Sequence, residues 1–287
     1  MKIGNHKIGS GDPVFIIAEL GINHNGDMEL AKKLITAAKQ AGCDAVKFQK
    51  RTVEVVYTPE ELEKPRENPF GPTNGDLKRG LEFSLEDYKE IDRFCKEQDI
   101  LWFASPWDEA SVDFLEQFDV PCHKIASASL TDAGLLRRIR DTGKPVILSV
   151  GMSEQSEIDK AVEILGKDRL AITHCVSQYP AEPENINLRV MQTLAERYGI
   201  PVGYSGHELD TIVSAVAVGM GAPIIERHFT LDRDLWGSDH KASIEPDEMT
   251  ELVKNIRMIE KALGDNEPKC RSVEIPVKEK LRRVDNI

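Results

Sequence analysis

A (β/α)8 barrel, the TIM-barrel class of α/β fold, is what this chain of 287 residues predicts. Three observations lead there. Eight short, β-branched apolar runs recur along the chain, stretches of helical spacing lie between them, and the length suits a single barrel, about 250 residues being usual for that fold. Strand and helix alternation also suits an open doubly wound sheet, but eight units in one chain of this length favour the closed ring.

The first strand is expected in VFIIAEL (residues 14–20), and the turn dipeptide Asn25-Gly26 leads from its end into a helix starting near Asp27, MELAKKLITAAKQAG. The second strand, AVKFQK (45–50), precedes the longest irregular segment, roughly 51–83, rich in Pro, Gly, Asn and Glu and read as a functional or mobile loop. The helix LEDYKEIDRFCKEQ follows, then strand three, LWFASP (101–106), and the helix DEASVDFLEQF. Strand four, HKIAS (123–127), strand five, PVILSV (145–150), and strand six, LAITHCV (170–176), are separated by DAGLLRRIRDTG and SEIDKAVEILG. Several of these helices begin at Asp or Ser and end at Gly, the residues that satisfy the free amides and turn the chain at helix ends. PVGYSG (201–206) and IIERHF (224–229) complete the eight, and a last helix is expected over about 246–263. Residues 1–265 thus form one barrel domain. The tail 266–287 is too short for a second domain and is expected to pack on the barrel or on a neighbour.

Hydrophobic residues make up 40% of the chain, enough for one large core. Lys plus Arg number 37 against 49 Asp plus Glu, and the net charge of −12 argues against nucleic acid or an anionic membrane surface as partner. The N-terminus MKIGNHKIGSGDP lacks the apolar core of a signal peptide, and no run of about 18 apolar residues exists, so a cytoplasmic protein is expected. Five cysteines, an odd number without a CxxC pair, read as buried, reduced thiols.

Chemistry in such a barrel gathers where strands end at their C-termini. The first strand delivers Glu19, then Asn23 and His24, which either line the site or fix the loop by hydrogen bonding. Lys47 and Gln49 alternate to one side of the second strand. Ser105 closes the third, Lys124, Ser127 and Ser129 the fourth, and Ser149 the fifth, while Ser177 and Tyr179 follow the sixth. Ser205 and His207 end the seventh, Glu226 and His228 the eighth. Two lysines amid serines supply the point charges and hydroxyls that a phosphate and carboxylate substrate needs. His207 and His228 end consecutive strands, which leaves open either a divalent metal with free positions or hydrogen-bonded structural roles. Glu226 reads as a third ligand, a supporting group or the ion-pair partner of Arg227. His174, within an apolar strand, reads as structural.

The stretches FIIAELGINHNGDMELAKKLITAAKQAGCDAVKFQ, LEFSLEDY, HKIAS, ILSVGM, THCVSQYP, GYSGHE and IERHFTLDRDLWGSDHKAS resemble, in order and spacing, the sialic acid synthase family. The resemblance covers almost the whole chain. It implies a transferase of carbohydrate biosynthesis that condenses phosphoenolpyruvate with a sugar aldehyde, giving a 2-keto-3-deoxy sugar acid of the N-acetylneuraminate kind plus phosphate. It implies phosphoenolpyruvate contacts at Lys47, Ser105, Lys124, Ser149 and Ser205 with Ser127 close by. It also implies a divalent metal, manganese or magnesium, on His207 and His228, and sugar contacts at Glu19, Gln49, Tyr179 and Asp239. Glu19 is the candidate for proton transfer or sugar orientation beside the two lysines.

Two departures from the family pattern bear on that expectation. The fourth strand reads KIASAS, putting Ser129 where the family has a glutamate, and VSQYP puts Ser177 where it has an asparagine. Family members also continue into a small antifreeze-like domain that reaches the partner subunit's site, and this chain ends where that domain would begin. A different aldose, deacetylated or phosphorylated, or a separately encoded lid protein is therefore expected, with a homo-oligomer such as a dimer. Other readings are an octulosonate-type synthase, a Schiff-base aldolase using Lys47 or Lys124, and a non-catalytic anion-binding barrel.

Overall fold

The computed structural model describes residues 1–284. Each expected strand forms: β1 Phe15–Gly21, β2 Ala45–Lys50, β3 Leu101–Pro106, β4 His123–Ile125, β5 Val146–Ser149, β6 Leu170–His174, β7 Val202–Gly206 and β8 Ile224–His228. All pair in parallel in the order β3-β2-β1-β8-β7-β6-β5-β4, and β3 also lies against β4, so the strands wrap into a (β/α)8 barrel. Strands buried on both faces need near-continuous apolar sequence, and β1 is buried at every position.

Eight helices surround the ring: α1 Met28–Ala41, α2 Leu85–Glu97, α3 Glu109–Leu115, α4 Ala133–Asp141, α5 Gln155–Leu165, α6 Val190–Tyr198, α7 Ile212–Gly219 and α8 Pro246–Leu263. Their starts are the polar residues that the sequence marks. Asp27 accepts from the amides of Glu29 and Leu30, and Ser84 and Asp87 satisfy one another's amides in a capping box. Each such cap stabilises its helix by about 1 kcal/mol. The apolar stripe of α1, Ala31, Leu34, Ile35 and Ala38, faces the core.

Three expectations need correction. The segment 51–83 is not irregular: it holds short helices at Val53–Val56, Pro59–Leu62 and Asn74–Gly80 and a hairpin of Pro65–Asn68 with Gly71–Thr73. Its turn-rich composition concealed elements of three to seven residues, too short to show a period. Of the two places expected for the tail, the barrel or a neighbour, the barrel is ruled out. The tail forms a helix, Ile275–Leu281, but every described residue from 264 onward is exposed. Four cysteines are buried as expected, whereas Cys270, carried on that tail, is exposed. Among the described residues no helix is long and apolar enough to cross a membrane.

Candidate active site

The strand ends open into one cavity of about 360 Å³ at the C-terminal mouth. Glu19, Lys47, Gln49, Ser105, Lys124, Ser127, Ser149, Ser177, Tyr179, Ser205, His207, Glu226, His228 and Asp239 all line it. These residues come from all eight strands or the loops after them, because parallel strands of one ring point every C-terminus the same way. Ser129 is the exception. A 3-10 turn over Ser127–Ser129 follows β4, and Ser129 lines a separate depression with Asp108 and Asp132. The sequence KIASAS, read as continuing strand, put it on the wrong side.

Charge at the floor is arranged around Glu226. Its Oε1 lies 3.1 Å from Lys47 Nζ and 3.6 Å from Lys124 Nζ, and accepts from Ser205 Oγ at 3.2 Å. Of the three readings of Glu226, the pair with Arg227 is therefore excluded. Successive residues of a strand face opposite ways, and Arg227 turns outward to Glu208 Oε1 at 3.1 Å. Lys47 also meets Glu19 Oε2 at 3.1 Å and donates to Ser105 Oγ at 3.3 Å, while Lys124 donates to Ser149 Oγ at 2.6 Å. Gln49 Nε2 donates to Glu19 Oε1 at 2.9 Å. Gly21 makes room for that bond: its φ is +46°, and a Cβ there would sit 2.9 Å from Glu19 Oε1.

Protonation differs sharply within this cluster. Burial, helped by the nearby Glu226 charge, raises the Glu19 carboxyl to about 7 against the pull of Lys47. Burial also opposes ionisation of Glu226, but Lys124 and Lys47 together hold it at about 2. Desolvation works against the Lys47 ammonium, yet the two carboxylates raise its pKa. Lys124 is lowered, by burial first, with Glu226 only partly opposing.

His207 and His228 approach with ring centroids 5.3 Å apart, and Tyr179 lies 4.2 Å and 5.8 Å from them. His207 Nδ1 sits 2.7 Å from Val176 O. A carbonyl only accepts, so Nδ1 carries the proton and Nε2 keeps its lone pair. His228 Nδ1 is buried without a hydrogen-bond partner, 3.8 Å from Asp239 Oδ2. Burial lowers both imidazoles, His207 to about 4, so both are neutral at pH 7. Two neutral, adjacent imidazoles with nitrogens to spare fit a divalent cation whose other positions go to water or substrate. Among the described residues no three His, Cys, Asp or Glu side chains are grouped to hold one alone.

Asn23 and His24 lie outside the cavity. Asn23 Nδ2 donates to Phe229 O and Ser243 Oγ, and His24 stacks on Phe83, 4.1 Å between centroids. His174 Nε2 bonds Ile186 O, a structural role. The sequence reading missed Arg51, Tyr57, Lys78, Trp107, Met152 and Cys175, which also line the cavity. Arg51 continues the Lys47, Gln49 alternation and was readable on that ground. Tyr57 and Lys78 arrive from elements hidden within 51–83.

A (β/α)8 barrel whose mouth converges two buried lysines, a row of hydroxyls and paired neutral imidazoles is an enzyme of the synthase class. The chain belongs to the NeuB family, whose model matches residues 34–268. It is 41% identical over 285 residues to N,N'-diacetyllegionaminic acid synthase of Legionella pneumophila, covering 96% of this chain and 80% of the relative. To human N-acetylneuraminate-9-phosphate synthase it is 39% identical over 279 residues, covering 96% of this chain and 78% of that one. A crystal structure of the N-acetylneuraminic acid synthetase of Leptospira borgpetersenii in complex with citrate superposes with a TM-score of 0.87 at 35% identity, covering 99% and 98% of the two chains.

Proposed function

We propose that the protein condenses phosphoenolpyruvate with a sugar aldehyde, with the help of a divalent metal, to give a 2-keto-3-deoxy sugar acid and inorganic phosphate. The observation that carries this reading is the pair of lysines, Lys47 and Lys124, joined through Glu226 beside two neutral histidines at the mouth of the barrel. Phosphoenolpyruvate brings a carboxylate and a phosphate, and the inner wall offers two ammonium groups with the hydroxyls of Ser105, Ser149 and Ser205. Ionised Glu226 favours the charged form of Lys47, opposes the effect of burial on Lys124, and places both lysines before substrate arrives.

The C3 methylene of phosphoenolpyruvate forms a bond to the aldehyde carbon, the aldehyde oxygen takes a proton, and C2 becomes electron-poor. Water adds its oxygen at C2 and gives up a proton. The C2–O bond to phosphorus then breaks, and phosphate leaves beside the lysines. His207 and His228 would hold a metal, which supplies Lewis-acid polarisation of the aldehyde oxygen. Glu19, with a pKa near neutrality and a bond to Gln49, is suited both to accept and to return a proton. Asp239 and Tyr179 border the histidines on the side left for the sugar.

Phosphate release from phosphoenolpyruvate, measured with manganese and a panel of aldoses, tests the reading. Release is expected with at least one aldose, to be abolished by chelation and by His207→Ala. Tight phosphoenolpyruvate binding without release from any aldose would overturn it. Borohydride trapping with pyruvate tests the Schiff-base reading, which the raised pKa of Lys47 disfavours at that residue because an ammonium is not a nucleophile, while the lowered pKa of Lys124 makes Lys124 the residue to look for in the trapped adduct.

A further inference from the structure

The stretch LEFSLEDY, residues 81–88, joins the segment after β2 to α2, and the proposed condensation gives it no task. Two of its side chains reach back to the end of β2. Tyr88, fully buried, donates from Oη to Gln49 O at 3.0 Å. Glu82 collects three donors: Arg51 N at 3.1 Å and Lys50 Nζ at 3.2 Å on Oε2, and Arg51 Nη1 at 3.1 Å on Oε1. The buried Arg51 guanidinium also lies over the Trp107 ring, 4.7 Å from its centroid. A guanidinium is planar with its donors at fixed angles, so anchoring one edge on Glu82 and one face on Trp107 fixes where Nη2 points. It points at Gln49 and donates to Oε1.

That bond decides which way the Gln49 amide lies. A side-chain amide has an acceptor end and a donor end of nearly equal size, and a half turn exchanges them. Guanidinium nitrogens only donate, so Arg51 holds the oxygen of Gln49 and leaves Nε2 to donate to Glu19 Oε1 at 2.9 Å. Turned over, Gln49 would set its own oxygen against a Glu19 oxygen, a contact that no ionised carboxylate can satisfy. We propose that Arg51 and Glu82 are positioning residues: Glu82 clamps Arg51, Arg51 fixes the Gln49 amide, and Gln49 in turn holds the Glu19 carboxyl in place for its proton transfer. The kinetic consequence rests on the condensation reading, whereas the relay of bonds stands apart from it. Lys47 lies 3.1 Å from the other Glu19 oxygen, so loss of the relay frees one side of the carboxyl and slows the reaction without abolishing it.

Arg51→Met removes the relay and leaves Glu82 paired with Lys50, so no buried carboxylate is stranded. With phosphoenolpyruvate, manganese and the best aldose, this variant is expected to lose about tenfold in kcat while its KM for phosphoenolpyruvate changes less than about twofold. Arg51→Lys, which keeps the charge but lacks the fork, should recover little of the loss. In a Gln49→Ala background Arg51→Met should cost less than about twofold more, and Glu82→Gln should lower kcat on its own yet add nothing to Arg51→Met. An unchanged kcat, a tenfold loss that persists once Gln49 is gone, or an effect confined to the KM for phosphoenolpyruvate would overturn the proposal. If no aldose supports turnover, the condensation reading fails by itself, and nuclear magnetic resonance of the Gln49 side-chain amide, assigned by its absence in Gln49→Ala, decides this one. Arg51→Met should move that amide pair towards the position of a solvated glutamine and speed its solvent exchange about tenfold, and an amide pair that neither moves nor exchanges faster would refute the relay.

Discussion

Glu19 and Glu226 touch the same ammonium group yet sit on opposite sides of neutrality, at about 7 and about 2. The difference is geometric: Glu226 has two lysines in reach, whereas Glu19 has one and also feels the charge of Glu226. Folding therefore holds a proton on Glu19 that the unfolded chain releases above its ordinary value of 4.5. Between pH 4.5 and about 7 the native state binds the extra proton, so this residue's contribution to stability falls as pH rises through that window and levels off above it. Urea unfolding at pH 5 and pH 8 should show wild type losing up to about 3 kcal/mol relative to Glu19→Gln. A pH-independent difference between the two would exclude the shift. The same variant should lose about a hundredfold or more in kcat if Glu19 moves a proton, and full activity would assign it to structure alone. At this scale the side of Lys47 and Gln49 was legible in strand alternation. The partner of Glu226 was not, since its lysines come from β2 and β4, 179 and 102 positions earlier in the chain (226 minus 47 and 226 minus 124).

The element that most changes the site is the segment after β2. Its helix Asn74–Gly80 ends against the first loop, where Gly26 has φ +72° and a Cβ would lie 2.2 Å from Gly80 O. That contact is with backbone, which cannot swing aside, so Gly26 is what lets the β1 loop seat the wall carrying Lys78. Gly26→Ala should destabilise the protein by about 2 kcal/mol and loosen the wall. Faster amide exchange across Pro65–Thr73, with barrel strands unchanged, is the expected signature, and unaltered exchange would show the approach to be dispensable. Phe70 adds to the same contact through its T-shaped packing on Trp236, 6.4 Å between centroids. The sequence marked Asn25-Gly26 as a turn but not what the turn approaches, because Gly80 is 54 residues away (80 minus 26).

Across the whole molecule, the ends of β7 and β8 are braced from behind by a buried ion pair. Glu208 and Arg227, each 1% exposed, meet at 3.1 Å, and Glu208 also accepts from Tyr204 Oη at 2.7 Å and Ser214 Oγ at 3.0 Å. Each member is the sequence neighbour of a cavity histidine, so the pair fixes the backbone that carries His207 and His228. Arg227→Met leaves a buried carboxylate uncompensated and should cost about 3–5 kcal/mol in denaturant unfolding. Adding Glu208→Gln should recover part of that loss. Additive losses would show that the two charges are not coupled.

Residue order alone determined the eight strands within a residue or two, the helix caps, and the set of polar side chains at the strand ends. These depend on periodicity and capping chemistry within about a dozen neighbours, which a linear chain displays directly. Only the tertiary structure decided that Glu226 bridges two lysines, that Ser129 turns out of the cavity, that the tail helix lies bare, and that Tyr57 and Lys78 reach the cavity from the segment after β2. Each of these is a matter of which distant segments closure of the ring brings within a few ångströms, and long-range proximity has no local period to announce it.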